Sequence, residues 1–463
     1  MTRKKKRTIL VFVTVLAMLL TACSGSGSGS GSGGQAGSGG ASGTGGSASP
    51  QSSSTTSSSG SNESVNKEPV TLTLMHGWTG EVPMAVAFEP AIEKFAADHP
   101  EIILKVDTAP GNAIREKVMT EIAANNTPDV FLHWGTRTTE VYINGGKLAA
   151  LDELIQSDPE MQGRYIDGAY DLVKYQGKIY GLPIEAYMHF FMINKSMFDQ
   201  HKVKIPETFD DLKAAVQTFA SKGLIPFAAN QHSARYMLSI WNTQLSGREE
   251  AIRASAGISE FGDSMLKAAQ MIDELTQLKA YPDGLATLAT LQSLELFNTE
   301  KSPMYYQHTW TIGSINPDLL DDVEVIPFPA VDASAKKMMT ANVGYFVYMS
   351  QAAYDDPAKR EAAWTLMKYL AGPEVAKGLV EEASNPSPVI TDYDAAKMSP
   401  VLTQTLQIRD SLDIAPNIEE FMAQEASANF QTLFDRLLLD DLTPEEFVEE
   451  LNKTVAENPN QAL

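Results

Sequence analysis

One cysteine, Cys23, is all that the 463 residues contain. A single thiol excludes an intramolecular disulfide and any cage of thiolate ligands around a metal. Histidine is nearly as sparse, seven in all, with no paired spacing and no His-rich loop, so neither a metal nor a cofactor is expected. Basic residues are outnumbered, 36 Lys and Arg against 58 Asp and Glu, for a net charge of −22. Nucleic acid and anionic lipid surfaces both reward clustered Lys and Arg, so neither is an expected partner. The chain also lacks a nucleophile elbow, an HExxH pair and a phosphate-binding P-loop, and no enzymatic role is expected. The apolar run from Ile9 to Leu20 is too short to span a bilayer as a stable helix.

That run follows a basic start, Arg3 to Arg7, and ends in Leu20-Thr21-Ala22-Cys23, so residues 1–22 read as a signal peptide. The ending is similar to the lipobox of bacterial lipoproteins, in which the cysteine is lipidated and becomes the new N-terminus. Residues 24–66 are almost wholly Gly and Ser, a composition that cannot bury enough surface to offset chain entropy. With Cys23 they make a flexible tether (23–66) reaching about 36 Å. A long tether on a lipid anchor fits a protein held at the outer face of a Gram-positive cell membrane.

The remaining chain is too long for one core and natural for two lobes. Alternation in "VTLTLMHGW" predicts a strand, "AFEPAIEKFAADHP" a helix, and "IILKVDT" a second strand. Ile114, Val118 and Ile122 recur at four-residue spacing behind Asn112, a candidate helix cap, and "NNTPDVFLHWG" supplies a third strand. This β-α-β-α-β order predicts a parallel sheet, in which ligands bind beyond the carboxyl ends of the strands. His76-Gly77-Trp78 and His133-Trp134-Gly135 both lie there. An aromatic at a strand end either lids the core or faces a ligand, and the pattern alone leaves both open.

Further on, "GKIYGLPIEAYMHFFMINK" has a Gly-Leu-Pro break, a polar Glu185 and then an apolar strand. Thr208 with Asp211, and Thr443 with Glu446, form candidate capping boxes for two amphipathic helices.

These segments, with "IPETFDDLKAA", "FNTEKSPMYYQHTW", "NVGYFVYMS" and "AAWTLMKYLAGPE", resemble in order the extracellular solute-binding proteins of family 1, which serve ABC importers for sugars. The resemblance runs from about residue 67 to 455. It implies a two-lobed periplasmic-binding-protein-like α/β fold, each lobe a mostly parallel sheet flanked by helices, with hinge crossings near 183–187, Thr340 and 385–389. One lobe would comprise 67–184 and 341–389, the other 185–340 and 390–463. A monomer would close on its ligand and present the closed form to the permease subunits.

A sugar offers a hydroxyl rim and an apolar C–H face, so its site needs flat rings and hydrogen-bonding groups. The resemblance places Trp78, Trp134, Trp241 and Trp310 around the cleft, while Trp364 falls on the apolar face of a helix. Trp310 occupies a position similar to the family's G-x-W, although His308 and Thr309 precede it here. Glu185 matches a hinge-side acidic position that accepts hydroxyl hydrogen bonds; His133, Tyr187, Asn230 and Tyr345 complete the candidate set. Arg115, Arg137 and Arg235 are isolated, which favours a neutral sugar over a glycerol phosphate ester. A secreted glycoside hydrolase is a further alternative, since the spacing of its two carboxylates cannot be read from sequence.

Overall fold

The computed structural model describes residues 68–111, 113–135 and 139–460. The signal peptide, Cys23 and the tether lie outside the described residues, as do Asn112 and Arg137. Among those described, the strands are β1 (Val70–His76), β2 (Ile102–Thr108), β3 (Val130–Trp134), β4 (Lys174–Tyr175), β5 (Lys178–Ile179), β6 (Gly181–Asn194), β7 (Phe227–Ala228), β8 (Met304–His308), β9 (Val323–Ile326), β10 (Met338–Met349) and β11 (Asp413–Ala415).

Local pattern accounts for most of these elements. In β1 the alternation buries Leu72 and Leu74 and leaves Thr73 exposed. The helix Phe209–Ser221 buries Leu212, Val216 and Phe219 along one stripe. Its Thr208 accepts from the Asp211 amide, but the Asp211 carboxylate accepts from the Glu207 amide, so the expected box closes on one side only. At Pro444–Glu457 both halves form, between Thr443 and Glu446, at 3.2 and 2.9 Å.

The main sheet runs β2-β1-β3-β10-β6-β8-β7, with β11 beside β10 and β9 beside β6, and β4 with β5 makes a separate hairpin. β1 pairs in parallel with β2 and β3, as the β-α-β-α-β order predicts. The sheet as a whole is mixed, however, because β10 is antiparallel to both β3 and β6. The reason lies in the two long strands. β6 leaves the β3 side beside Tyr348 and ends against β8 and β9, whereas β10 travels back from β11 to β3.

The break expected at Gly181-Leu182-Pro183 does not occur, since β6 continues through it for 14 residues. Proline cannot donate to the ladder, and the sheet accommodates it with a register shift between Tyr345 and Phe346 of β10, opposite Glu185 and Pro183.

Apolar side chains form separate cores on either side of this strand pair. Leu72, Leu74, Phe88, Phe95, Val130, Leu132, Val347 and Leu366 pack together beside β1 and β3. Phe191, Phe219, Phe227, Trp241, Ile272, Phe434 and Leu451 pack beyond β6. Separate cores on either side, joined by two antiparallel strands, make a two-lobed molecule.

Candidate functional site

Side chains alternate across a strand, so Glu185, Tyr187 and His189 share one face of β6. They interrupt an otherwise apolar strand at the point where its partner changes from β10 to β8. Tyr345 of β10 stands opposite Glu185 on one side and Trp134 of β3 on the other. Its ring lies 4.9 Å from that of Trp134, edge to face, and 5.1 Å from Trp78, nearly parallel. Trp78, Trp134 and Trp310 all lie in or against a single apolar cluster. The ring of Tyr187 rests on Gly344, where a Cβ would come within 2.8 Å of it.

The next rungs carry polar rings. Tyr187 stacks on His308 at 4.2 Å, His308 lies 4.8 Å from His189, and His189 lies 3.9 Å from Tyr236 on the helix Gln231–Ser246. Glu420 accepts from the Tyr187 hydroxyl and, at 2.9 Å, from Asn342 Nδ2. Burial pushes the Glu420 carboxyl up to about 7, with these two hydrogen bonds pulling the other way. Burial also lowers His308 to about 3 and holds His189 far below the ordinary imidazole range, so both rings are neutral. Among the described residues, neither nitrogen of His189, nor Nδ1 of His308, has a hydrogen-bond partner. Buried polar atoms are rarely left so, and a ligand's hydroxyls are suited to meet them. Arg235 is engaged already, with its Nε 3.5 Å from Glu419 and its Nη2 2.6 Å from His232.

The sequence-derived candidates separate accordingly. Glu185, Tyr187, Tyr345, Trp78 and Trp134 come together, and Trp310 reaches the same cluster on the turn Thr309–Ser314 after β8. Of the five tryptophans, Trp134 and Trp310 are half-buried and the other three buried. Trp241 is withdrawn from the set. It is wholly buried between Phe209 and Phe328, and its indole N–H donates to the Pro329 carbonyl, so no ring face remains for a ligand. Asn230 is corrected to a helix cap: it accepts from the Ser233 amide and donates to Thr290 Oγ1, and it is buried. His133 points into the core between Phe131 and Tyr142, with Nδ1 against the Trp134 carbonyl. Gly135 follows it because a Cβ there would fall 2.4 Å from Phe346. Trp364 is buried, as its helix face predicts, and donates to Asp158.

Sequence reasoning missed His189, Tyr236, Asn342 and Glu420. The alternation Glu-x-Tyr-x-His in β6 was the available signal for the first of these. The others meet only through tertiary packing. Two surface hollows, about 180 Å³ beside Lys105 and Asp107 and about 470 Å³ beside Lys336 and Asp413, touch none of these residues.

Two separately cored lobes, spanned by long strands that carry rings and hydrogen-bonding groups, are the architecture of a two-lobed solute-binding protein. The chain belongs to the bacterial extracellular solute-binding protein family, whose profile matches residues 90–406. It is 25% identical over 276 residues to an uncharacterised ABC transporter extracellular-binding protein of Pyrococcus horikoshii, covering 58% of this chain and 63% of that one. It is 24% identical to the melibiose/raffinose/stachyose-binding protein of Bacillus subtilis, over 65% of this chain and 70% of that one. Among solved structures, one from work on xylan utilisation by Caldanaerobius polysaccharolyticus superposes with a TM-score of 0.76 at 24% identity, covering 83% of this chain and 100% of that one. A chitin oligosaccharide binding protein gives 0.77 at 19% identity, covering 84% and 99%. At these identities the structural likenesses establish the fold.

Proposed function

We propose that the protein captures a sugar or oligosaccharide between its two lobes as the substrate-binding component of an ABC importer. The observation that carries this reading is the shared rung of Trp134, Tyr345 and Glu185, with Trp78 stacked on Tyr345 and Trp310 packed against the same cluster. Flat rings beside a carboxylate suit a sugar's C–H face and hydroxyl rim. The names of the Bacillus relative and of the chitin oligosaccharide binding protein support the same ligand class.

In this reading the lobes are 67–184 with 341–389, and 185–340 with 390–463, and β6, β10 and segment 385–389 are the crossings. The bound ligand stabilises the closed form, because only there do both lobes touch it. A monomer, lipidated at Cys23 and held by its tether at the outer face of a Gram-positive membrane, then presents the closed form to the permease subunits. Binding without chemistry is its role. A glycerol phosphate ester fits poorly, since Arg235, the guanidinium of the cluster, is already paired with Glu419.

Thermal unfolding across a panel of mono- and oligosaccharides tests the proposal. A cognate sugar at 100 times its dissociation constant adds about 2.7 kcal/mol of stability. A panel that leaves the transition unmoved, or one that is cleaved during incubation, removes the reading.

A further inference from the structure

Glu185 is 8% exposed, and none of the described residues gives it a cationic partner. Among the described residues its one hydrogen bond comes from Asn385 Nδ2, at 2.9 Å to Oε1. The other end of the same amide, Asn385 Oδ1, is buried with no partner among the described residues, and Asn385 itself is 0% exposed. One buried acceptor therefore lacks a donor, and it lies beside a carboxyl group that has one hydrogen bond and no cation. Leaving a carboxylate buried and unpaired is costly unless something else supplies hydrogen bonds or charge.

The pair is held rigidly. Ser387 Oγ donates to the Ile184 carbonyl at 3.0 Å, and the Ala186 amide donates to the Pro386 carbonyl at 3.0 Å. Segment 384–387 is thus laced to β6 on both sides of Glu185. Ser384, next to Asn385, sits in the left-handed region at φ 56, where non-glycine residues are held at a conformational cost. Across the strand pair stands Tyr345, flanked by the indoles of Trp78 and Trp134.

We propose that Glu185 and Asn385 form a subsite for a protonated primary amine, so that the preferred ligand is an amino sugar with its nitrogen free. An ammonium brings three donors and one positive charge, enough for Glu185 Oε2 and Asn385 Oδ1 together. Aromatic faces beside the carboxylate add cation–π attraction. An N-acetylated amine has lost both the charge and two donors, and a hydroxyl brings one donor and no charge. The inference rests on the carbohydrate-binding reading and names the ligand class within it.

The test uses the purified full chain and three matched ligand sets: glucosamine oligomers, their N-acetylated forms and glucose oligomers of equal length. Calorimetry should show the free amine binding about tenfold or more tightly than both counterparts. In Glu185→Gln the ratio of free-amine to glucose-oligomer affinity should fall to about one, whatever the change in absolute affinity. A second arm needs only the unsubstituted protein. Burial raises the Glu185 carboxyl to about 7, so its charged fraction falls steeply between about pH 7.5 and about pH 6, while the amine is charged at the lower value. Tyr345, the titratable group facing it from β10, has its phenol raised by burial and stays neutral throughout, and Asn385 and Ser387 carry no charge. The amine preference should therefore shrink on acidification. Equal or tighter binding of the neutral counterparts, or a preference indifferent to pH, overturns the amine subsite while leaving carbohydrate binding intact. Absence of binding by all three sets also overturns the amine subsite, and the carbohydrate reading then stands or falls on the thermal-unfolding panel.

Discussion

Each residue in this site has a role set by what its neighbours leave unsatisfied. Trp310 is half-buried on a turn that follows β8, and a sugar stacked on its indole would complete the burial of that ring. Trp310→Ala should cost about 2 kcal/mol of binding, roughly thirtyfold in dissociation constant. Calorimetry with the cognate ligand showing no loss would remove Trp310 from the site. Gly344 acts through space. A methyl there would lie 2.8 Å from Tyr187 Cδ1, forcing the ring off the position from which it donates to Glu420. Gly344→Ala should destabilise the fold by about 1–3 kcal/mol and weaken ligand binding as well. Denaturant melts that match the parent would show that the strand yields without disturbing the ring. His133, Asn230 and Trp241 carry a different lesson. Their residue types are those of binding sites, but a satisfied cap or a core indole looks the same in sequence as a ligand platform.

At the scale of elements, local rules were reliable where the hydrogen bonds themselves are local. The last helix closes its box between Thr443 and Glu446, three residues apart, and buries Phe447, Leu451 and Val455. Thr443→Ala should cost about 1 kcal/mol in chemical unfolding and leave ligand affinity unchanged. A loss of affinity there would mean that this helix is coupled to the site. β6 shows where local rules stop. Gly-Leu-Pro looked like an interruption, but a register shift on β10 lets the strand run through Pro183. That accommodation is invisible in β6 itself, because it resides in a partner some 160 residues away in sequence.

At the scale of the molecule, buried ionisable groups set the response to acid. Burial holds His76, His133 and His232 at about 4 and His308 at about 3, and drives His189 well down. These rings stay neutral in the folded chain but take up protons when it unfolds below about 6.5, so their contribution is lost as pH falls through that value. Glu185 and Glu420, raised to about 7, act in the opposite sense: they bind protons in the folded chain between about 4.5 and 7. Five rings against two carboxyls should leave the protein with a lower melting temperature at about pH 5 than at about pH 7. Melting followed by circular dichroism decides this, and a higher value in acid would mean the carboxyls dominate. Closure is the second molecular-scale expectation. Small-angle scattering should report a smaller radius of gyration with the cognate sugar present, and an unchanged radius would argue against lobe movement on binding.

Composition and periodicity were enough to determine the charge balance, the amphipathic helices, the first three strands and their parallel order, because each depends on residues close together in the chain. Motif order carried the two-lobed class. Which side chains share the site was decided only by tertiary structure. Glu185 meets Asn385 200 positions further on, Tyr187 meets Glu420 across 233, and His189 faces His308 through strand pairing. Contacts of that range depend on how two lobes are threaded through a shared pair of strands, and no pattern along either segment encodes its partner.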